Sequence, residues 1–133
     1  MNLSSGVAPI SRYLKHGLHV GLATDIAGGS HENLLRAMAH AIQASKLRWR
    51  LLDQSVAPLS FEQAFYIATM GGGEFFGKVG TFAAGYELDA VVLDDASLDH
   101  PQELSVRDRV ERAAYLADER NVMAKFVAGT QIF

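Results

Sequence analysis

Val20-Gly21-Leu22-Ala23-Thr24-Asp25-Ile26-Ala27-Gly28-Gly29 is the stretch on which the reading of this chain turns. With Leu18 and His19 in front of it, it opens as a short apolar run, Leu18–Ala23, of the kind that forms a buried strand. The run ends at Thr24-Asp25, and a glycine pair follows. In parallel α/β folds functional groups gather at the carboxyl ends of strands. Asp25 is therefore the leading candidate for chemistry. A carboxylate there can bind a hard or borderline cation, or shuttle protons if its pKa is tuned. The competing reading makes Asp25 a turn residue or a helix cap. A parallel strand also needs neighbours that satisfy its backbone groups. No sequence-local partner is evident for Leu18–Ala23, which suits a part of a larger sheet or barrel better than a complete domain.

Working outward, Asn2 to Pro9 is small and polar and reads as a loop. Ile10, Tyr13 and Leu14 predict a short helix closed by Gly17. On the other side, Ser30 is a candidate N-cap, with Glu32 in the first turn. Leu35, Met38, Ile42, Trp49 and Leu52 give one apolar stripe along a helix running to about Leu52. After Pro58, Ser60 and Gln63 form a capping-box pattern, with Phe61, Ala64, Phe65 and Ala68 inward and Gly71-Gly72-Gly73 as the stop. Leu88–Leu93 reads as a strand. Ser105 with Asp108 opens a helix that turns Val106, Val110, Ala113, Ala114 and Ala117 inward. Val122–Val127 is a last strand, and Gly129-Thr130 a tight turn before Gln131-Ile132-Phe133. The composition shifts near Gly80, so the expected division is 1–79 and 80–133.

The chain has 133 residues, 49% of them hydrophobic and 20% charged, with formal net charge -3. It is expected to fold and bury a core, and nothing marks nucleic-acid binding as its task. Arg36, Lys46, Arg48 and Arg50 surround the apolar stripe of the long helix and read as its solvated face. There is no cysteine, which removes disulfides, zinc-thiolate sites and thiol nucleophiles. Met1 to Ile10 carries no signal-peptide pattern, and no apolar run is long enough to span a bilayer. A cytoplasmic protein is expected.

The histidines, His16, His19, His31, His40 and His100, form no His-x-His or His-x-x-x-His pair. His31 follows Asp25 closely, but reads as a surface or helix-terminal residue. Asp94-Asp95 follows a strand and reads as a solvated turn, with cation binding as the alternative. Neither Gly71–Gly73 nor Gly77-Lys78 makes a dinucleotide or phosphate loop. Ser4-Ser5 lacks a nucleophile elbow.

Three stretches together carry a resemblance: Asn2-Leu3-Ser4-Ser5-Gly6, then Val20 to Gly29, then Gly80-Thr81-Phe82-Ala83-Ala84-Gly85-Tyr86-Glu87-Leu88-Asp89-Ala90-Val91-Val92-Leu93-Asp94. They resemble the C-terminal third of guanine deaminases of the metal-dependent amidohydrolase superfamily, and Ser60 to Gly77 agrees. The resemblance implies an α/β fold: the C-terminal part of a (β/α)8 TIM barrel at 1–79, with Leu18–Ala23 as its eighth strand, and strands of a small β-sandwich with an intervening helix at 80–133. It implies Asp25 as the aspartate that completes a single-metal site and helps move protons. It further implies zinc, or another divalent metal, activating a water that attacks the amino-bearing carbon of guanine, giving xanthine and ammonia. A homodimer is a family expectation.

The family's His-x-His pair, two later histidines and catalytic glutamate belong upstream of this region, and none is present. Ala23 stands where glycine is frequent, and the strands near 88–93 and 122–127 are expected to lack partners from the missing N-terminal segment. The residues that grip substrate are not identified. The isolated chain is accordingly expected to bind zinc weakly, to deaminate no guanine and to aggregate. The alternatives are a non-catalytic remnant or interaction module with exposed strand edges, an amidohydrolase acting on another amino-heterocycle, and, last, a small nucleotide-binding protein.

Overall fold

The computed structural model describes residues 3–133, so the readings that fall on Met1 and Asn2 lie outside the described residues. The short helix predicted after the first loop is α1, Ile10–Lys15, and the chain leaves it through Gly17 at φ +71, a left-handed conformation that costs glycine little. The long helix is α2, Leu34–Leu51. Its N-cap is Asn33, not Ser30: the Asn33 side chain accepts from the amides of Leu35 and Arg36 at 2.9 and 3.4 Å. Asn33 thus takes up donors that helix geometry leaves unpaired, and Glu32 falls outside the first turn. Along α2, Met38, Ala39, Ile42 and Ser45 are buried, Leu35 and Trp49 are half-buried, and Leu52 lies outside. The Ser45 hydroxyl donates to the Ile42 carbonyl and accepts from the Leu59 amide. One buried hydroxyl thereby anchors the chain that returns toward the next helix.

That helix, α3, Phe61–Ala68, begins with the expected capping box between Ser60 and Gln63. It buries Phe61, Ala64 and Ile67, whereas Phe65 is exposed. The inward face is set by Ile67, so the fourfold spacing from Phe61 to Phe65 is not the buried one. The three glycines do not stop the helix. It breaks at Thr69, and Met70–Gly73 forms a further turn, α4. The glycines there permit close approach: a Cβ on Gly71 would run into the carbonyl oxygen of Val20, and one on Gly21 would come within 3.1 Å of the Gly72 Cα.

The segment expected to be a buried strand, Leu18–Ala23, lies against this glycine turn without forming a strand. Its bond to α3, from the Leu22 amide to the Ile67 carbonyl at 2.8 Å, is not part of a ladder. A strand is defined by paired neighbours, and among the described residues none is offered. Val20, Leu22 and Thr24 are half-buried, while His19, Gly21, Ala23 and Asp25 are exposed. The period-two alternation of an extended chain therefore survives without its sheet.

In the second half, β1, Ala90–Leu93, pairs antiparallel with β2, Val122–Val127, with an irregularity between Val92 and Leu93. The two strands expected to lack partners from an N-terminal segment pair with each other. β2 also pairs with β3, Thr130–Gln131, through a two-residue loop of Ala128 and Gly129, both at positive φ. That is the hairpin geometry matched to strand twist, placed one residue before the expected Gly129-Thr130 turn. Between β1 and β2 runs α5, Val106–Leu116, capped by Ser105. Val106 is exposed, and the face turned inward is Val110, Ala113 and Ala114, with Ala117 just beyond. Ala114 joins Met38, Ile42, Leu59, Phe61, Ala64 and Ile67 in one core, against which Val20 and Leu22 also pack.

This core leaves much apolar surface outside it. Leu18, Ile26, Phe75, Phe76 and Phe82 are exposed, as are Val91, Met123 and Val127 on the sheet. The accessible area is 9094 Å² for 14.4 kDa, against roughly 6,800 Å² for a compact monomer of that mass. Among the described residues no helix is long and apolar enough to cross a membrane.

Candidate functional site

Asp25 stands where the exposed row His19, Gly21, Ala23, Asp25 reaches its carboxyl end. The chain turns back at this point. The Asp25 carbonyl accepts from the Gly28 amide at 2.9 Å and from the Gly29 amide. Asp25 at φ 52 and Ala27 at φ 73 both occupy the left-handed region. Asp tolerates it better than most residues, whereas Ala27 pays about 1–2 kcal/mol. Such strain persists where the surroundings hold it in place and is concentrated at functional sites. The glycine pair makes the turn possible: a Cβ on Gly29 would fall on the carbonyl oxygen of Thr24, and one on Gly28 would lie 2.6 Å from Asp25 Oδ2.

The turn leaves the Asp25 side chain exposed, with no hydrogen-bond or ion-pair partner among the described residues. An uncommitted carboxylate oxygen suits a hard or borderline cation, so Asp25 fits the role of one metal ligand. It does not make a site by itself. Among the described residues no three His, Cys, Asp or Glu side chains gather so as to hold a metal ion. His31 stacks at a tilt on His40, with ring centroids 5.5 Å apart, and His40 Nδ1 lies 3.4 Å from the Ser30 hydroxyl. His100 sits in a local turn, its ring nitrogen near the Gln102 backbone.

The remaining candidates find structural partners. Asp95 forms a two-pronged pair with Arg109, at 2.7 and 2.8 Å, and this pairing holds its carboxyl below the ordinary range. Asp94 caps the turn that follows by accepting from Ala96. Arg48 lies on the Arg12–Asp53 pair.

Sequence reading missed one cluster. His19 Nδ1 lies 2.5 Å from Glu74 Oε2, and the Tyr66 hydroxyl donates to Glu74 Oε1 at 2.9 Å. The hydrogen bond from His19, then that from Tyr66, holds the Glu74 carboxyl below its ordinary value. This cluster ties the beginning of the His19–Asp25 row to the end of α4. Asp25 stands at the opposite end. His19 and Glu74 are 55 positions apart, so no local spacing could have announced the contact.

The fold recurs in known proteins. The chain is 44% identical to a guanine deaminase from C. acetobutylicum, whose crystal structure has guanine bound in the active site; the TM-score is 0.92, covering 98% of this chain and 31% of that one. It is 32% identical to the guanine deaminase of Homo sapiens, over 99% of this chain and 31% of that protein. It is 30% identical to that of Dictyostelium discoideum, over 98% and 30%. The chain thus spans about a third of the length of the relatives it matches. The likeness bears out the expected fold class, part of an amidohydrolase barrel with additional strands, and the resemblance carried by Val20–Gly29 and Gly80–Asp94. A match to the model of the amidohydrolase family runs over residues 1–132, and the chain belongs to that family.

Proposed function

We propose that this chain supplies Asp25, as metal ligand and proton carrier, to a guanine deaminase that hydrolyses guanine to xanthine and ammonia. The observation that carries the reading is the Asp25 carboxylate, without a partner among the described residues, on its strained turn, in a chain with 44% identity and TM-score 0.92 to a guanine deaminase. We take zinc as the cation. What it supplies is a lowered pKa of water, and so a nucleophile at neutral pH. Asp25 would accept the proton that the water gives up and pass it to the departing amino nitrogen, which leaves as ammonia. A carboxylate does this best when it is fixed within hydrogen-bond reach, and the turn provides the fixing.

The chain contributes one ligand, so catalysis needs a polypeptide that carries the others. The excess of exposed area over a compact monomer is roughly 2,200 Å², the scale of a large protein interface, and supports such a covering partner. We assign residues 1–79 to the barrel and 80–133 to the added strands. A cytoplasmic homodimer, with no nucleic acid or membrane as partner, follows the resemblance and the net charge of -3.

The test begins with the coding DNA upstream of Met1. An open frame encoding His-x-His and two later histidines is the expected result. The protein it encodes should deaminate guanine and lose turnover on Asp25→Asn. The 133-residue chain alone should deaminate none. Turnover by that chain, or full activity in the Asp25→Asn protein, would overturn the reading.

A further inference from the structure

Gly28 is half-buried and bears no side chain, yet the space where one would sit is already taken. A Cβ built on it lies 2.6 Å from Asp25 Oδ2, 3.2 Å from Asp25 Cγ and 2.9 Å from Leu3 Cδ1. Real carbon atoms do not come that near a carboxylate oxygen, because repulsion rises steeply inside van der Waals contact. Gly28 does not occupy the left-handed region, so its backbone asks for no glycine. What asks for glycine is the position of the Asp25 carboxylate. Gly29 differs, because its Cβ would strike the Thr24 backbone and undo the turn itself.

We propose that Gly28 is a positioning residue for Asp25: its bare Cα is the seat on which the carboxylate rests, and it sets the direction in which Asp25 offers its oxygens. This rests on the reading of Asp25 as a metal ligand. Groups that orient a ligand, without touching the metal, alter metal affinity about 10–100-fold when changed. Gly28→Ala should leave the backbone in place and turn the carboxylate away. Leu3 is touched only at the far end of a flexible side chain, so it can yield.

The experiment uses the 133-residue chain with 13C-labelled aspartate, following the Asp25 carboxyl resonance by NMR as zinc is added. In the parent chain the resonance should respond to zinc and saturate. In Gly28→Ala it should start from a different shift and need at least about tenfold more zinc, with far-UV circular dichroism unchanged. Leu3→Ala combined with Gly28→Ala should not restore the response, because the carboxylate contact remains. In an Asp25→Ala background, Gly28→Ala should have no further effect on zinc binding.

A normal shift and normal zinc response in Gly28→Ala would overturn the proposal, as would restoration by Leu3→Ala. If Gly28→Ala unfolds the chain, the same signal is read in Gly28→Ser with Leu3→Ala, and a parent-like shift there overturns it equally. If the parent resonance ignores zinc, Asp25 fails as a ligand. The zinc-free shift then decides on Gly28 by itself.

Discussion

Ile67 links the core to the segment that carries Asp25, and Ile67→Ala tests that link. Its side chain is fully buried among Met38, Leu59 and Ala64, while its carbonyl receives the Leu22 amide at 2.8 Å. The substitution removes three carbons, about 2.4 kcal/mol of transfer free energy. The cavity left behind adds to this, within the overall range of about 2–5 kcal/mol for such truncations. We expect a loss of about 3 kcal/mol. Against a total near 7 kcal/mol, the lower end of the usual per-residue stability for a chain of this length, that is a large share. The lower end applies because so much apolar surface stays exposed.

Urea unfolding followed by Trp49 fluorescence reads the loss as a shift of the midpoint with an unchanged slope. Hydrogen exchange reads its reach: the Leu22 amide should lose protection at least in proportion, because Val20 and Leu22 pack on the same cluster. A loss below about 1 kcal/mol, the size of an ordinary surface effect, would refute the placement of Ile67 in the core. Unchanged Leu22 exchange would refute the coupling between core and segment.

Other consequences are as direct. Gly71→Ala should destabilise by about 1–3 kcal/mol, the usual cost of overpacking, because its Cβ meets the Val20 carbonyl. Gly72→Ala meets only the Ile67 carbonyl oxygen, at an ordinary 3.6 Å, and should be neutral or better in the same urea experiment. Asn33→Ala should cost about 1 kcal/mol through the lost cap, while Ser30→Ala should leave the unfolding midpoint unchanged. Glu74 is held below its ordinary value of 4.5, first by His19 and then by Tyr66. Its stabilising contribution is therefore complete above about pH 4.5 and lost as the pH falls through the lower folded value. Melting temperatures measured from pH 7 to pH 3 should fall less steeply for Glu74→Gln than for the parent. Asp118 is held at about 2 by the side-chain and backbone hydrogen bonds from Arg120, so Asp118→Asn should lower the melting temperature at neutral pH and converge with the parent only as the pH falls toward about 2.

What the sequence determined by itself was local chemistry. The Ser60–Gln63 box, the Ser105 cap, α1 before Gly17 and β2 at Val122–Val127 depend on residues within a few positions of one another, and each formed where its pattern stands. Asp25 stands out as a candidate for a similar reason: a carboxylate after an apolar run and before two glycines is a local signal. The resemblance in Val20–Gly29 then supplied the role proposed for it. Ser30 misled because two capping residues stand three apart, and the choice of Asn33 rests on which side chain reaches the helix amides.

Only tertiary structure decided the rest. Leu18–Ala23 has the composition of a strand, but a strand exists through partners, and the described residues provide no ladder for it. Gly71 to Gly73 look like a helix stop, yet Gly71 and Gly72 serve the close passage of Val20 and Gly21 over α4, a contact about fifty positions away in the chain. The His19–Glu74–Tyr66 cluster and the seat that Gly28 offers to the Asp25 carboxylate are likewise matters of distance in space. Spacing along a chain specifies hydrogen bonds between near neighbours; it does not specify which distant backbone will need the room that a missing side chain leaves.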